Sequence, residues 1–350
     1  MRAHSSPLII GHRGASGYRP EHTAAAYDLA FRLGADAVEP DLVATKDGVL
    51  VLRHENEISG TTDVADHAEF ADRRATKEID GVEHTGWFTE DFTWAELATL
   101  RAKERLGGIR QTSSTFDGRY PLLRMRDLFG LVDAASDDAA RLLGIVAELK
   151  HATYFSSIGL PLDELFSDEL AEAGWTDNPE LVVESFEKTV LTQLYRRGFR
   201  GRRVYLLEDD GAPADRVAVD GSSARGYRHD LTEMGLYALS AGGPADRVDG
   251  ISVETALVLS ERTVSAALDD EEDEAALTSD LVDTAHAAGL GVYCWTLRPE
   301  NPFLRPEFRV EGPDTAWGDW ERMFAAVMRS GVDGVFVDQP DLAVAVRDGR

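Results

Sequence analysis

Cysteine is almost missing from this chain. Cys294 stands alone, so no internal disulfide can form and a reducing compartment is open to the protein. Positive charge is scarce as well: 36 Lys and Arg face 63 Asp and Glu, a formal net charge of −27. Such a field repels nucleic-acid phosphates and anionic membrane surfaces, so a nucleic-acid partner is not expected. It also sets a condition, because an anionic ligand would need positive charge concentrated at one place. Long apolar runs are absent. No stretch could span a bilayer, and no apolar leader lies between Met1 and Pro7, so the expectation is a cytoplasmic protein without stable membrane insertion. Gly-x-Ser-x-Gly, P-loop, His-x-His and His-Glu-x-x-His patterns are all lacking, which removes the common serine-hydrolase, nucleotide and zinc chemistries.

What is present is ample core material. Hydrophobic residues make up 43% of 350, enough for one large barrel domain or two ordinary domains. Short apolar or β-branched runs predict strands near 8–13, 37–43, 49–54, 143–149, 181–186, 202–207, 249–254, 291–297 and 333–338. Helical patterns at Thr23–Leu33, Leu160–Ala173, Glu187–Arg197, Ser279–Ala288 and Thr315–Ser330 lie between them. Alternation of this kind means a parallel sheet, and the length and strand count favour an α/β fold of the closed TIM-type (β/α)8 barrel, whose sites sit at the strands' C-terminal ends.

One connection is too short for a parallel crossover. Only Thr45-Lys46-Asp47-Gly48 and a few neighbours separate Asp41 from the next strand, so this is a hairpin, and Asp-Gly is good turn chemistry for it. Folding back sets His54 opposite Asp41, give or take a residue. From 56 to 142 no barrel strand is evident, which is too long for an ordinary connection. This stretch reads as an inserted subdomain over the barrel mouth of a single domain spanning 1–350. Its Trp87, Phe88, Phe92 and Trp94 serve either its own core or an apolar channel. Residues 208–230 read as loop, and the acidic run Asp269–Glu274 as a solvated loop.

The chemistry-bearing residues fall at strand ends. Glu39 and Asp41 are two apart and share a face, as do Glu148 and Lys150. Carboxylates converging at a barrel mouth call for a hard divalent cation, Mg²⁺ or Ca²⁺; alternatively they are a solvent-facing pair beside an ion-paired Glu148. His12 and His54 each follow an apolar strand and suit general acid and base work near neutral pH, unless both are structural. Arg13 can clamp a phosphate or form a salt bridge to Glu21, and Lys150 offers a second phosphate contact. Glu21 can cap the first helix or orient a ligand. Ser185, Phe186, Trp295, Arg298 and Asp338 end late strands and can line the pocket, and Phe186 and Trp295 equally suit packing. Cys294 reads as a small buried hydrophobe.

The run Gly11-His12-Arg13-Gly14, Pro20-Glu21-His22-Thr23, Gly34-Ala35-Asp36, Glu39-x-Asp41 through Asp47-Gly48, and His54 resembles the glycerophosphodiester phosphodiesterase family. Pro-Glu-His-Thr is similar to its glycerophosphoryl-diester, GlpQ-like branch. Glu148-Leu149-Lys150, Ser185-Phe186, Trp295 through Asn301 and Asp333 through Asp341 agree, so the resemblance spans the chain. It implies a TIM-type barrel with an insertion after the second-histidine strand. It implies metal ligation by Glu39, Asp41 and Glu148, acid/base work by His12 and His54, and phosphate contacts from Arg13 and Lys150. The implied reaction is metal-dependent hydrolysis of a small-molecule glycerophosphodiester to glycerol 3-phosphate and an alcohol, through a cyclic phosphate. Three positions depart from the family pattern: Glu55 replaces the usual Asp, Glu184 a Gln, and Ser252-Val253-Glu254 a Gly-Pro version. Two other functions compete: a lysophospholipase D-type enzyme on acylated substrates, and a non-catalytic glycerophosphodiester-binding protein.

Overall fold

A computed structural model describes residues 6–268 and 279–349. The acidic run from Asp269 lies outside the described residues. Eight parallel strands close on themselves. They are β1 (Leu8–His12), β2 with β3 (Ala37–Glu39, Asp41–Ala44), β7 (Gly144–Leu149), β8 (Leu181–Ser185), β9 (Arg202–Leu207), β10 (Gly250–Glu254), β11 (Gly291–Leu297) and β12 (Gly334–Val337). β1 pairs with β12 on one side and β2 on the other, and the β2–β7 pairing completes the ring. The predicted strand set and the closed barrel are both found.

The second strand is broken where Pro40 cannot donate a ladder hydrogen bond, although its carbonyl accepts from Glu148 N at 2.9 Å. Beyond the break, β3 turns back into β4 (Leu50–Leu52) as an antiparallel hairpin, with Leu42 opposite Leu52. Gly48 takes the left-handed conformation the turn needs (φ 75°), and Thr45 Oγ1 closes it on Asp47 and Val49 N. Arg53 N donates to Asp41 O, so Asp41 faces Arg53 and lies one residue from His54.

Between β4 and β7 no strand joins the barrel. The insertion carries its own hairpin, β5 (Ala75–Ile79) and β6 (Val82–Gly86), which the sequence pattern did not reveal because both strands are largely exposed and polar. Phe88 and Phe92 are fully buried, Trp87 donates its Nε1–H to Phe70 O, and Trp94 carries the Arg124 guanidinium on its ring. Phe92 joins the apolar core shared with the barrel's outer face and the β3–β4 hairpin, and Trp87 and Trp94 pack against that core. The last part, helix Met125–Ala139, packs on the barrel's outer face against helices Ala24–Arg32 and Leu162–Ala173.

Helix boundaries differ modestly from expectation. Thr23, not Glu21, caps the first helix, its Oγ1 accepting from Ala26 N at 3.2 Å. The 315–330 pattern is helical only over Trp320–Arg329. Residues 208–230 are not all loop, since Ala214–Asp220 and Tyr227–Asp230 are helical; both are too short for a clear 3.6-residue period.

Candidate active site

Side chains alternate along a strand, so every second residue points into the barrel. Ile10, Ala37, Val146, Val182, Val204, Tyr293 and Phe336 form one apolar layer inside it. Two residues further along the same strands stand His12, Glu39, Glu148, Glu184, Leu206, Trp295 and Asp338. The interior thus changes from apolar to titratable in one step, at the C-terminal ends where barrel sites form. Above this layer opens a cavity of roughly 1180 Å³. Its walls include His12, His54, Lys150 and, from the insertion, Asp80, Val82 and Arg105.

A carboxylate stands against Nδ1 of each histidine, hydrogen-bonded at His12 and in ion-pair contact at His54. His12 Nδ1 donates to Asp338 Oδ1 at 2.6 Å, and His54 Nδ1 lies 2.8 Å from Glu55 Oε1. Each ring is left with Nε2 for other work. Burial and the neighbouring Arg13 charge lower the basicity of both imidazoles. Asp338 Oδ2 is held in turn by Arg110 Nη2 and Arg298 Nε, both at 2.6 Å.

Glu39, Glu148 and Glu184 are buried together, each offering an oxygen within 4.8 Å of the others. Burial and the repulsion of neighbouring carboxylates raise all three well above the usual range, Glu148 to about 8 even with Lys150 beside it. Among the described residues, Glu184 Oε2 and Asp41 Oδ1 have no hydrogen-bond partner, and Glu148 Oε1 has only the Lys150 charge at 3.0 Å. An all-oxygen, underneutralised and unsatisfied set suits a hard divalent cation. Asp41 is adjacent, level with Glu148 in the strand register, but its Oδ2 is engaged by His22 Nε2 at 3.0 Å and lies 3.3 Å from Arg13 Nε. The acidic cluster therefore differs from the expected trio by Glu184, with Asp41 at its edge.

The remaining candidates divide by what they touch. Arg13 sits at the mouth in a left-handed conformation (φ 61°) that Gly14 continues. Its guanidinium pairs with Glu21 at 3.1 Å, and its backbone N donates to Glu39 Oε2 at 2.9 Å. Glu21 accepts also from Arg105 Nε. Lys150, held charged by Glu148 and Asp41 against the cost of burial, lies 5.6 Å above the Phe186 ring. Phe186 meets Tyr227 and Trp295 edge to face, and Trp295 Nε1 has no hydrogen-bond partner among the described residues. Ser185 Oγ donates to Leu149 O and accepts from Glu187 N, so its hydroxyl is spent on the backbone. Arg298 lines the cavity while bound to Asp338. Sequence reasoning missed His22, Arg110, Asp80 and His151. The first lay within the quoted Pro-Glu-His-Thr motif; the others carry no local signal, being brought in by long-range folding.

A closed parallel barrel whose mouth joins two carboxylate-held histidines to an all-oxygen acidic cluster defines a hydrolase of the barrel class. The family model for glycerophosphoryl diester phosphodiesterases matches residues 12–342. A glycerophosphodiester phosphodiesterase of Arabidopsis thaliana is 31% identical over 352 residues, covering 95% of this chain and 84% of that protein. One from Bacillus subtilis is 38% identical over 244 residues, 67% of each chain. Among solved structures, an Oleispira antarctica phosphodiesterase in complex with its product sn-glycerol-3-phosphate matches with a TM-score of 0.60 at 19% identity, covering 98% of this chain and 97% of that one. The chain belongs to the glycerophosphoryl diester phosphodiesterase family, and is an enzyme of that class.

Proposed function

We propose that this enzyme hydrolyses soluble glycerophosphodiesters to sn-glycerol 3-phosphate and an alcohol, with His12 and His54 as the acid/base pair. The observation that carries this is the convergence of two histidines, each fixed at Nδ1, on one cavity shared with the acidic cluster. One imidazole takes the proton of the glycerol 2-hydroxyl as its oxygen bonds to phosphorus. The other gives a proton to the departing alcohol oxygen as that P–O bond breaks. Water then adds to the cyclic phosphate, opening the P–O2 bond. Lys150 and Arg13 supply the fixed positive charge that draws a phosphodiester into an acidic molecule. Glu39, Glu148 and Glu184, with Asp41 beside them, would hold one Mg²⁺ or Ca²⁺, which when bound neutralises phosphoryl charge.

The cavity's far wall supports a cationic head group, as in glycerophosphocholine or glycerophosphoethanolamine. Phe186, Tyr227 and Trp295 offer ring faces and edges, and Glu208 and Glu254 line the same wall without an ion pair among the described residues. An acyl-chain substrate is less well served, because Trp87, Phe88, Phe92 and Trp94 are used in core packing and are not among the residues lining the cavity. The segment 56–142, through Asp80 and Arg105, roofs this mouth. A cytoplasmic location belongs to the same proposal and rests on the lone, buried Cys294.

The test is release of glycerol 3-phosphate from glycerophosphocholine, with and without EDTA, followed by add-back of Mg²⁺ or Ca²⁺. Release that EDTA stops and a cation restores is the expected result. Absence of release under every condition, with turnover of a lysophospholipid instead, would overturn it.

A further inference from the structure

The two histidines are held by carboxylates of very different security. Asp338, behind His12, is buried and gripped by two arginines. Glu55, behind His54, is 43% exposed and sits on a long flexible side chain. A rotamer-rich carboxylate at a cavity edge loses entropy when it is held in one position, so something further must fix it.

That further element comes from the insertion. Asp80 and Gly81 form the turn of the β5–β6 hairpin, both left-handed (φ 50° and 83°), as a tight two-residue hairpin turn requires. Asp80 Oδ2 lies 2.6 Å from His151 Nδ1. His151 Nε2 lies 3.1 Å from Glu55 Oε2, and Glu55 Oε1 lies 2.8 Å from His54 Nδ1. A neutral imidazole can donate from only one nitrogen, yet both nitrogens of His151 face carboxylate oxygens. His151 is therefore an imidazolium clasped between Asp80 and Glu55. The groups facing it are those two carboxylates, which favour its charge, and Lys150, which opposes it. Glu55, fixed by this cation, presents Oε1 to His54 Nδ1 as a close charged contact.

We infer that the insertion hairpin positions the proposed second acid/base histidine at a distance, through the chain Asp80–His151–Glu55–His54, which sets His54 in its Nδ1–H tautomer with Nε2 open to the cavity. Asp80, His151 and Glu55 are positioning residues in this scheme. The inference rests on the proposed role of His54.

The test uses the full chain with Asp80→Asn, Asp80→Glu and His151→Gln. Nitrogen-15 histidine spectra read the His54 tautomer, and turnover of glycerophosphocholine is measured across pH. Asp80→Asn should lower kcat about ten-fold, the usual loss when a supporting hydrogen-bond partner is removed. KM should move little, and the His54 resonances should shift toward mixed tautomers. Asp80→Glu should recover part of both, and His151→Gln should match the Asn variant. Unchanged kcat and unchanged His54 resonances would overturn the inference, as would a lowered melting temperature with kcat intact, which would make the hairpin contact merely structural. The spectra keep the two hypotheses separate: if the protein turned over no glycerophosphodiester, the function would fail while the tautomer still tested the chain of contacts.

Discussion

His12 and Asp338 meet at 2.6 Å although 326 positions separate them in sequence. The contact forms because β1 pairs in parallel with β12, with Gly11 beside Val337, so the last barrel strand delivers its terminal carboxylate to the first strand's terminal histidine. Asp338 also joins Arg298 of the barrel to Arg110 of the insertion.

Replacing Asp338 with Asn should therefore do two things at once. It takes the buried counter-charge from Arg298 and one of two from Arg110, which keeps Glu300 at 2.8 Å; breaking a buried pair in this way costs about 3–5 kcal/mol. It also exchanges the charged acceptor that fixes His12 for a neutral amide that can present either its oxygen or its NH2, lowering kcat about 10–100-fold. Denaturant unfolding and steady-state kinetics measure the two separately. An unchanged kcat would mean that His12 does not need its carboxylate.

His12→Ala and His54→Ala should each reduce turnover by roughly 10²–10⁴ while circular dichroism stays native. Near-normal turnover in either variant would remove that residue from the acid/base pair.

Glu184→Gln should weaken Mg²⁺ or Ca²⁺ binding in calorimetric titration by at least about ten-fold. It should also raise the melting temperature of the metal-free protein, since the cost of burying or protonating one of three crowded carboxyls is removed. For the unsubstituted protein, saturating cation should raise the melting temperature and EDTA should reverse it. Equal cation affinity in the variant would exclude Glu184 as a ligand.

His151 gives a pH signature. Burial alone would lower its basicity, but hydrogen bonds to Asp80 and Glu55 carry it from 6.5 to about 9. A folded value above the unfolded one means stabilisation that is fully present below about pH 6.5 and is lost as pH rises through about 9. The urea midpoint should fall between pH 6.5 and pH 10, and His151→Gln should flatten that fall. An equal decline in both proteins would assign the alkaline loss to other groups.

Gly14→Ala should destabilise the first turn by about 3 kcal/mol. Gly14 has φ 87°, and an added Cβ would come within 2.6 Å of the Ala26 backbone carbon. Thermal unfolding would show it; a neutral result would mean that this turn can relax away from the helix.

The barrel was legible because its signals are local. Apolar runs of strand length, the Asp47-Gly48 turn and the two-residue spacing of Glu39 and Asp41 need only neighbours to be read. The N-terminal histidine block, Glu148 and Lys150 were legible for the same reason. Three kinds of residue were not. Asp338 was visible as a strand end, but its pairing with His12 depends on which strands close the ring. Arg110, Asp80 and His151 act across the insertion, whose path over the mouth no periodicity encodes. Glu184 stood out only as a departure from a family pattern; its place in the acidic cluster follows from its register opposite Glu148. Pro40 was in plain view, and the strand break it causes frees Asp41 to turn toward His22.

The β1–β12 seam also dictates when the molecule becomes competent. Translation delivers His12 well before Asp338, so a nascent chain carries a histidine without its carboxylate and an open sheet without its final strand. Any fragment ending before β12 leaves Arg298 without its carboxylate and Arg110 with Glu300 alone. Closing the ring is the step that completes the His12–Asp338 pair, so a chain interrupted before β12 lacks that part of the site.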